Sequence, residues 1–392
     1  MKLESDFRIR RLITLIVATM LVTGCGWFGG DEDEQQQPLE LIEFEPRFNV
    51  DELWSTATGE GLDRRAPNLH PEYTNGQIWI ADVEGRLVSI DAENGERRSD
   101  FELDMDLSAG PSVYGNRVLL GTFEGQLLNV NANSGQIEWR TQLSSEILAK
   151  PVLQDGIVVV RCIDGRIFGL NAETGRREWV YDRSIPLLTL RGNSTPIIRG
   201  GQLFSGYDDG SVVAIRVADG TVLWEARVST PEGRSQLDRL ADIDGSLVIV
   251  GGDLYAVTRH GRMASLALDS GRIQWVKDVR SHSGISVSRT QIAVTDTDDA
   301  IWVVDRQSGD TIWRSEDLLR RGLTQPIAMS DQWVVADREG YLHWFDADTG
   351  QLTARTRASK ERPAEKPFLV GNTLYFYDVE GRLSAWQIRE SS

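Results

Sequence analysis

The chain predicts an all-β protein, an eight-bladed β-propeller of four-stranded antiparallel blades whose last blade is closed by an N-terminal strand. Three observations carry this reading. A Gly-centred turn recurs at Gly85, Gly125, Gly165, Gly210, Gly261, Gly340 and Gly381, with a degenerate copy at Asp299. Successive intervals are 40, 40, 45, 51, 38, 41 and 41 residues, the period of a four-stranded blade. A second Gly follows ten residues later in seven copies, from Gly95 to Gly350, and a Trp stands four residues beyond it at Trp139, Trp179, Trp224, Trp275 and Trp313. Finally, the ends are complementary. The eighth copy stops after its third strand, Arg382–Ile388, while a spare strand-like stretch, Phe48–Ser55, carries Trp54 where the missing Trp belongs.

The unit is clearest around Arg161–Val180. Its strands are predicted to begin at Pro151–Leu153, then Ile157–Cys162, Arg166–Leu170 and Arg176–Val180. Asp-Gly and Thr-Gly supply the positive φ that tight turns need. Both strand faces are apolar, as in Ile167, Phe168 and Leu170, which suits a sheet stacked between two neighbours. Apolar segments led by Pro67, Pro111, Pro151, Pro196, Pro326 and Pro367 open six of the copies. The recurring Trp is similar to that of quinoprotein dehydrogenases, but a residue spread evenly round the ring reads as inter-blade packing.

The N-terminus reads as an address. A basic segment ends at Arg10–Arg11, and an apolar run from Leu12 to Val22 follows. Eleven residues are too few to span a bilayer, which needs roughly 20, but they suit a secretory signal over residues 1–24. Val22-Thr23-Gly24-Cys25 resembles a bacterial lipobox, which implies acylation of Cys25. Several acyl chains give a stable anchor where one does not. Gly26, rather than Asp, after that Cys implies the outer membrane. Residues 25–46, with the run Gly29–Gln37 (GGDEDEQQQ), read as a flexible acidic tether. The propeller then occupies 47–392 and faces the periplasm.

Composition narrows the function. Beyond residue 24 there are 38 basic against 57 acidic side chains, a net charge of −19, which argues against nucleic acid as a partner. The four His residues lie far apart, no Cys pair is available, and neither a nucleophile elbow nor a phosphate loop occurs. No catalytic, metal or cofactor site is therefore expected. Asp208–Asp209 and Asp296, Asp298 and Asp299 read as solvated turns, and Cys162 as a small buried apolar side chain.

The repeat breaks in one region. The two long intervals place extra residues in the linkers Asp182–Ser194 (DRSIPLLTLRGNS) and Val228–Asp244 (VSTPEGRSQLDRLADID), on either side of the fourth blade. Leu187, Leu188 and Leu190 beside Arg191 fit a partner-docking loop on a rigid scaffold. They fit equally a local plug of core beneath the blade.

At these residues the chain resembles the BamB lipoprotein family of the outer-membrane β-barrel assembly machinery. The resemblance runs from the lipobox to the last blade. It is carried by Leu188-Thr189-Leu190-Arg191-Gly192, Asp238-Arg239-Leu240-Ala241-Asp242-Ile243-Asp244, Asp317-Leu318-Leu319 and Gly340-Tyr341-Leu342-His343-Trp344. Thr189, Ile243 and the strongly acidic tether are its departures. The resemblance implies a non-catalytic scaffold whose two linkers dock on the periplasmic POTRA domains of BamA, through Leu188, Leu190, Arg191, Asp242 and Asp244. Such a scaffold offers its propeller surface to unfolded outer-membrane proteins, a second expected class of partner, by strand addition. The alternative is a periplasmic quinoprotein-like oxidoreductase.

Overall fold

Turn glycines and alternating apolar runs build what their spacing predicts. The computed structural model describes residues 37–61, 68–183, 194–229, 243, 247–258, 261–281 and 283–389. Residues 1–40 form one unit and Leu41–Ser392 a second, compact one that holds every described strand. Among the described residues there is no helix, and the strands form eight antiparallel sheets arranged as a propeller. We number the blades in chain order from the strand Glu72–Thr74. Blade 3 consists of Val152–Gln154, Ile157–Arg161, Ile167–Asn171 and Arg177–Tyr181, within one or two residues of each predicted start.

Closure is by the N-terminal strand. Asn49–Ala57 pairs antiparallel with Arg382–Arg389 and supplies the fourth strand of blade 8. Trp54 fills the position left by the missing Trp. Its indole N–H donates to the Ala92 carbonyl of blade 1 at 3.2 Å, and its ring lies against the α-carbon of Gly95.

The same wedge recurs at Trp139, Trp179, Trp224, Trp275 and Trp313. Each donates from the indole to a carbonyl of the next blade, at 2.8–3.1 Å, and covers that blade's second turn glycine. The Trp pattern is thus a device of architecture. Phe101 of blade 1 covers Gly135 of blade 2 with its ring, without a hydrogen bond. Blade 7 has Ala354 at the Trp position. Between blades 7 and 8 lies a cleft of about 590 Å³ lined by Arg47, Phe48, Met329, Gln387 and Ile388, among others.

One predicted segment is used differently. The stretch after Pro67 does not enter blade 1 directly. Asn68–Leu69 first pairs in parallel with Ala109 and Gly110 of blade 2, and blade 1 opens only at Glu72. Pairing across blades gives these backbone groups partners before the chain turns into its own sheet.

Leu41–Arg47 lies on blade 7. Leu41 packs against a core cluster shared by blades 6 and 7. Arg355 donates to the Ile42 carbonyl at 3.0 Å and covers the Phe44 ring at 5.1 Å. The Arg47 amide donates to Thr353 O, and its guanidinium to Asp346. The outer strands of blades 3 to 6 instead expose Val180, Val222, Leu223, Ile273, Val276 and Ile312.

Candidate functional site

A propeller strand order puts the turn between second and third strands on the same face as the linker leaving the fourth. The hydrogen bonds agree: Leu103, Leu143, Val228 and Ala358, each just past an outer strand, donate their amides to Gly85, Gly125, Gly210 and Gly340. The two long linkers therefore emerge beside these turns.

The turns follow a rule in which two blades differ. Three residues before the first turn position stand Asp82, Thr122, Cys162, Tyr207, Thr258, Asp296, Asp337 and Asp378. Six of these side chains cap the turn, accepting the amide four residues on at 2.9–3.0 Å. Short side chains with an acceptor oxygen do this well. In blades 3 and 4 the cap moves two residues on, to Asp164, which accepts from Arg166 N, and to Asp209, which accepts from Ser211 N. That releases Cys162 and Tyr207 for other uses. These are the blades that flank the first long linker.

Tyr207 is buried, and two arginines lie over its ring. The Arg161 guanidinium lies 4.6 Å from the ring centroid and that of Arg183 4.5 Å. Arginine is suited to this because its plane stacks on an aromatic face while its edge still donates. Arg161, only 2% exposed, donates to the carbonyls of Gly206 at 2.6 Å and Ser194 at 3.4 Å, and sits 3.7 Å from Asp208. Arg183 donates to Asp209, Ser211 and Glu225 at 2.7–2.9 Å.

The charges are matched to their places. Burial raises the Asp208 carboxyl above its ordinary value despite the opposing Arg161 charge. Burial also pushes Asp209 upward, but the Ser211 hydroxyl and Arg183 outweigh it and hold that carboxyl low. Burial raises the Tyr207 phenol and keeps it neutral.

All four linker ends meet at this turn. Arg183 and Ser194 lie at the two ends of the first linker and are held by the contacts just given. At the second, Val228 and Ser229 donate their amides to Gly210 O, and Ile243 donates to Tyr207 O at 3.4 Å. Ile243 is 2% exposed and packs on Gly206, where an added Cβ would stand 2.7 Å from its Cγ2. This residue, a departure from the family's motif in the sequence, is thus a core anchor of the second linker.

The sequence-predicted residues Leu188, Leu190, Arg191, Asp242 and Asp244 lie outside the described residues, as does Cys25. The choice between docking loop and local plug for Leu187, Leu188 and Leu190 falls outside the described residues as well. Sequence reasoning passed over Arg161, Arg183 and Tyr207. A signal was present for Tyr207, because only Cys162 and Tyr207 break the run of Asp or Thr at the capping position.

The acidic turns correct another expectation. Asp208, Asp296 and Asp299 are buried, not solvated. Asp296 accepts from the Asp298 and Ala300 amides and from the Trp302 indole, and Asp299 from the Gly322 and Leu323 amides. Asp296 and Asp299 are thus held by protein donors, as burial requires, while Asp208 has the Arg161 guanidinium at 3.7 Å. Nearer the axis, Lys150 pairs with Glu72, His70 with Glu365, and Lys366 donates to Gln325.

Comparison with known proteins agrees with this architecture. The family model for "Outer membrane protein assembly factor BamB" matches residues 83–315 and 303–391. The protein of that name from Alkalilimnicola ehrlichii is 43% identical over 381 residues, covering 97% of this chain and 98% of its own. Its namesake in Pseudomonas aeruginosa is 42% identical over 375 residues, covering 96% and 98%. That of Escherichia coli is 32% identical over 381, covering 94% and 97%. The crystal structure of BamB from Moraxella catarrhalis superposes with a TM-score of 0.78 at 24% identity, over 86% of this chain and all of that one. A quinohemoprotein alcohol dehydrogenase from Pseudomonas putida shares the fold, with a TM-score of 0.70 at 12% identity, over 92% and 79% of the two chains. With relatives this similar along almost its entire length, the chain belongs to the BamB family of outer membrane protein assembly factors.

Proposed function

We propose that this protein is a non-catalytic scaffold of the barrel assembly complex, anchored to the outer membrane through lipidated Cys25 and docking on the periplasmic POTRA domains of BamA. Leu188 and Leu190 bury apolar surface against the partner, at about 1.5–3 kcal/mol for each fully buried side chain. Arg191 donates to a partner carboxylate or carbonyl, and Asp242 and Asp244 hold Arg191 and the linkers in place. The acidic tether 25–46 lets the propeller work beside the membrane.

The observation that carries this reading is the convergence of both linkers' ends on the blade 4 turn. A loop meant to find a partner gains from rigid, closely spaced anchors, because less ordering remains to be done on binding. The exposed outer strands of blades 3 to 6 suit a second role, strand addition by unfolded outer-membrane proteins.

The test is a chain carrying both Leu188→Ala and Arg191→Ala, extracted from membranes in detergent. Co-purification with BamA should fall strongly while thermal stability stays nearly unchanged. An equal loss of stability would mean that these residues are core, and docking would be excluded.

A further inference from the structure

A pocket of about 300 Å³ lies where blades 6, 7 and 8 meet. Its walls are the short linkers that lead into those blades. Ser283 stands before blade 6, Thr324 and Gln325 before blade 7, and Arg362 to Lys366 before blade 8. Arg338 joins them from the turn between the second and third strands of blade 7, with its stem laid on Gly322. Short linkers and this turn share one face of the ring, the face that carries the blade 4 turn.

The pocket is electrically unbalanced. Arg338, Arg362 and Lys366 line it against one carboxylate, Glu365. Among the described residues, none of the three cations has a carboxylate at ion-pairing distance. Glu365 faces His70 at 3.0 Å, and Glu339, next to Arg338 in sequence, is taken by Arg321. Buried cations nearby are matched: Arg321 pairs with Asp337 as well, and Lys150 with Glu72. Lys366 is partly buried and donates to Gln325 Oε1 at 2.8 Å, a neutral acceptor. Gln325 is itself committed, donating to Ile285 O and Ser286 Oγ of blade 6. Burial lowers the Lys366 amine against the opposing Glu365 charge, the mark of a cation short of a counter-charge. In a chain of net charge −17, such a group is a local exception.

We propose that this pocket binds an acidic segment of a partner protein, seating a carboxylate side chain on Arg338, Arg362 and Lys366. Arginine forks hold carboxylates in two parallel hydrogen bonds. A volume of about 300 Å³ is at the small end of ligand sites and suits a side chain. An anionic membrane fits less well, because its charge is spread over a plane and the acidic remainder of the surface repels it. No residue of the two long linkers takes part, so this site stands apart from the docking reading.

The probe is a fluorescent peptide of four consecutive glutamates flanked by Gly-Ser, titrated by anisotropy against the full lipoprotein in non-ionic detergent. Salt of about 0.15 M keeps the Debye length near 8 Å, so that the pocket's own charges are read. The glutamate peptide should bind at least tenfold more tightly than its glutamine counterpart. Arg338→Gln with Arg362→Gln, both exposed, should weaken it at least tenfold with the thermal midpoint unchanged. Arg338→Lys with Arg362→Lys, which keeps the charge, should stay within threefold of the native chain. Arg199→Gln with Arg289→Gln removes equal charge at exposed turns between first and second strands and should change binding less than twofold.

Equal losses in the two glutamine pairs, or no preference for glutamate, overturn the proposal. Inorganic phosphate or anionic vesicles that bind more tightly than the peptide, and lose binding in the Arg338 and Arg362 pair, would make this a phosphate site and overturn it too. A chain carrying Asp31→Asn, Glu32→Gln, Asp33→Asn and Glu34→Gln should bind the peptide as the native chain does. A tenfold gain there would make the chain's own acidic run the occupant and exclude the partner segment. Should the Arg338 and Arg362 pair lower the midpoint, each single variant is read in its place, with a threefold loss required.

Discussion

The indole N–H of Trp179 donates to the carbonyl of Val217 at 2.8 Å, and its ring covers the α-carbon of Gly220 so closely that no side chain fits between. One residue of blade 3 thereby satisfies a backbone carbonyl of blade 4 and fills the space a turn glycine leaves. The wedge joins sequence to ring closure, because a Trp four residues beyond one blade's turn Gly packs on the turn Gly of the next blade and fastens the two.

Gly220→Ala is accordingly expected to cost more than a glycine change in an open turn. Gly220 has a φ of +74°, and an added Cβ meets the Trp179 ring at 2.8 Å. Left-handed backbone costs about 1–2 kcal/mol for a non-glycine residue, and overpacking adds about 1–3 kcal/mol. Gly76 has φ +80° with nothing within 4 Å, so Gly76→Ala carries the backbone cost alone. Urea midpoints of the two variants give the difference directly. Equal losses would show that the Trp179 contact does not constrain this turn.

Trp54 should matter as much as an internal wedge although it precedes the first complete blade. Trp54→Ala and Trp224→Ala each remove a half-buried indole that bonds a neighbouring blade. Losses of about 2–4 kcal/mol are expected for both, somewhat below a fully buried aromatic. A near-zero cost for Trp54→Ala would mean that the closing strand lies outside the cooperative unit.

Acid should weaken the ring in two stages. His343 is fully buried, and burial pushes its imidazole below 6.5 against the weaker opposing pull of Asp337. Its Nδ1 accepts from Arg355, which leaves Nε2 to donate to Asp337 at 3.0 Å. Burial likewise lowers His70, against the opposing Glu365. Below pH 6.5 the unfolded chain binds protons at these sites that the folded chain refuses. Stability is thus full above 6.5 and lost as pH falls through the window beneath it. Asp337 adds a second loss. Burial would raise its carboxyl, but His343, the Tyr341 amide and Arg321 outweigh burial and hold it below 3.8. Its contribution is present above 3.8 and disappears as pH falls further. Thermal midpoints between pH 7.5 and 5 should decline in the native protein, and His70→Gln with His343→Gln should flatten that decline. An unchanged slope in the double variant would contradict the assignment.

Cys162 should be inert in the folded protein. Its thiol is fully buried in the core between blades 2 and 3, and burial pushes its pKa up to about 11. Thiolate, the reactive form, is scarce at neutral pH. In a chain carrying Cys25→Ser, a thiol reagent at pH 8 should label nothing until denaturant is added. Prompt native labelling would place Cys162 at an opening seam.

The repeat alone was enough to read the blades, because a four-stranded sheet buried on both faces imposes turn residues and apolar runs at fixed places. The closing strand was legible for the same reason: a missing Trp at one end and Trp54 at the other are two halves of one pattern. The linkers were legible as excess length. Of their anchors only Tyr207 was marked, by breaking the Asp or Thr run at the capping position; Arg161 and Arg183 stand 46 and 24 residues before it and no periodicity relates them to it.

The sequence by itself determined the number of blades, their strands and the manner of closure, all of which follow from local turn chemistry repeated at one period. Only the tertiary structure decided what the broken positions are for. Whether a buried Asp faces water or a backbone amide, and whether a Tyr lies against one guanidinium or two, depends on what neighbouring blades bring to the same turn.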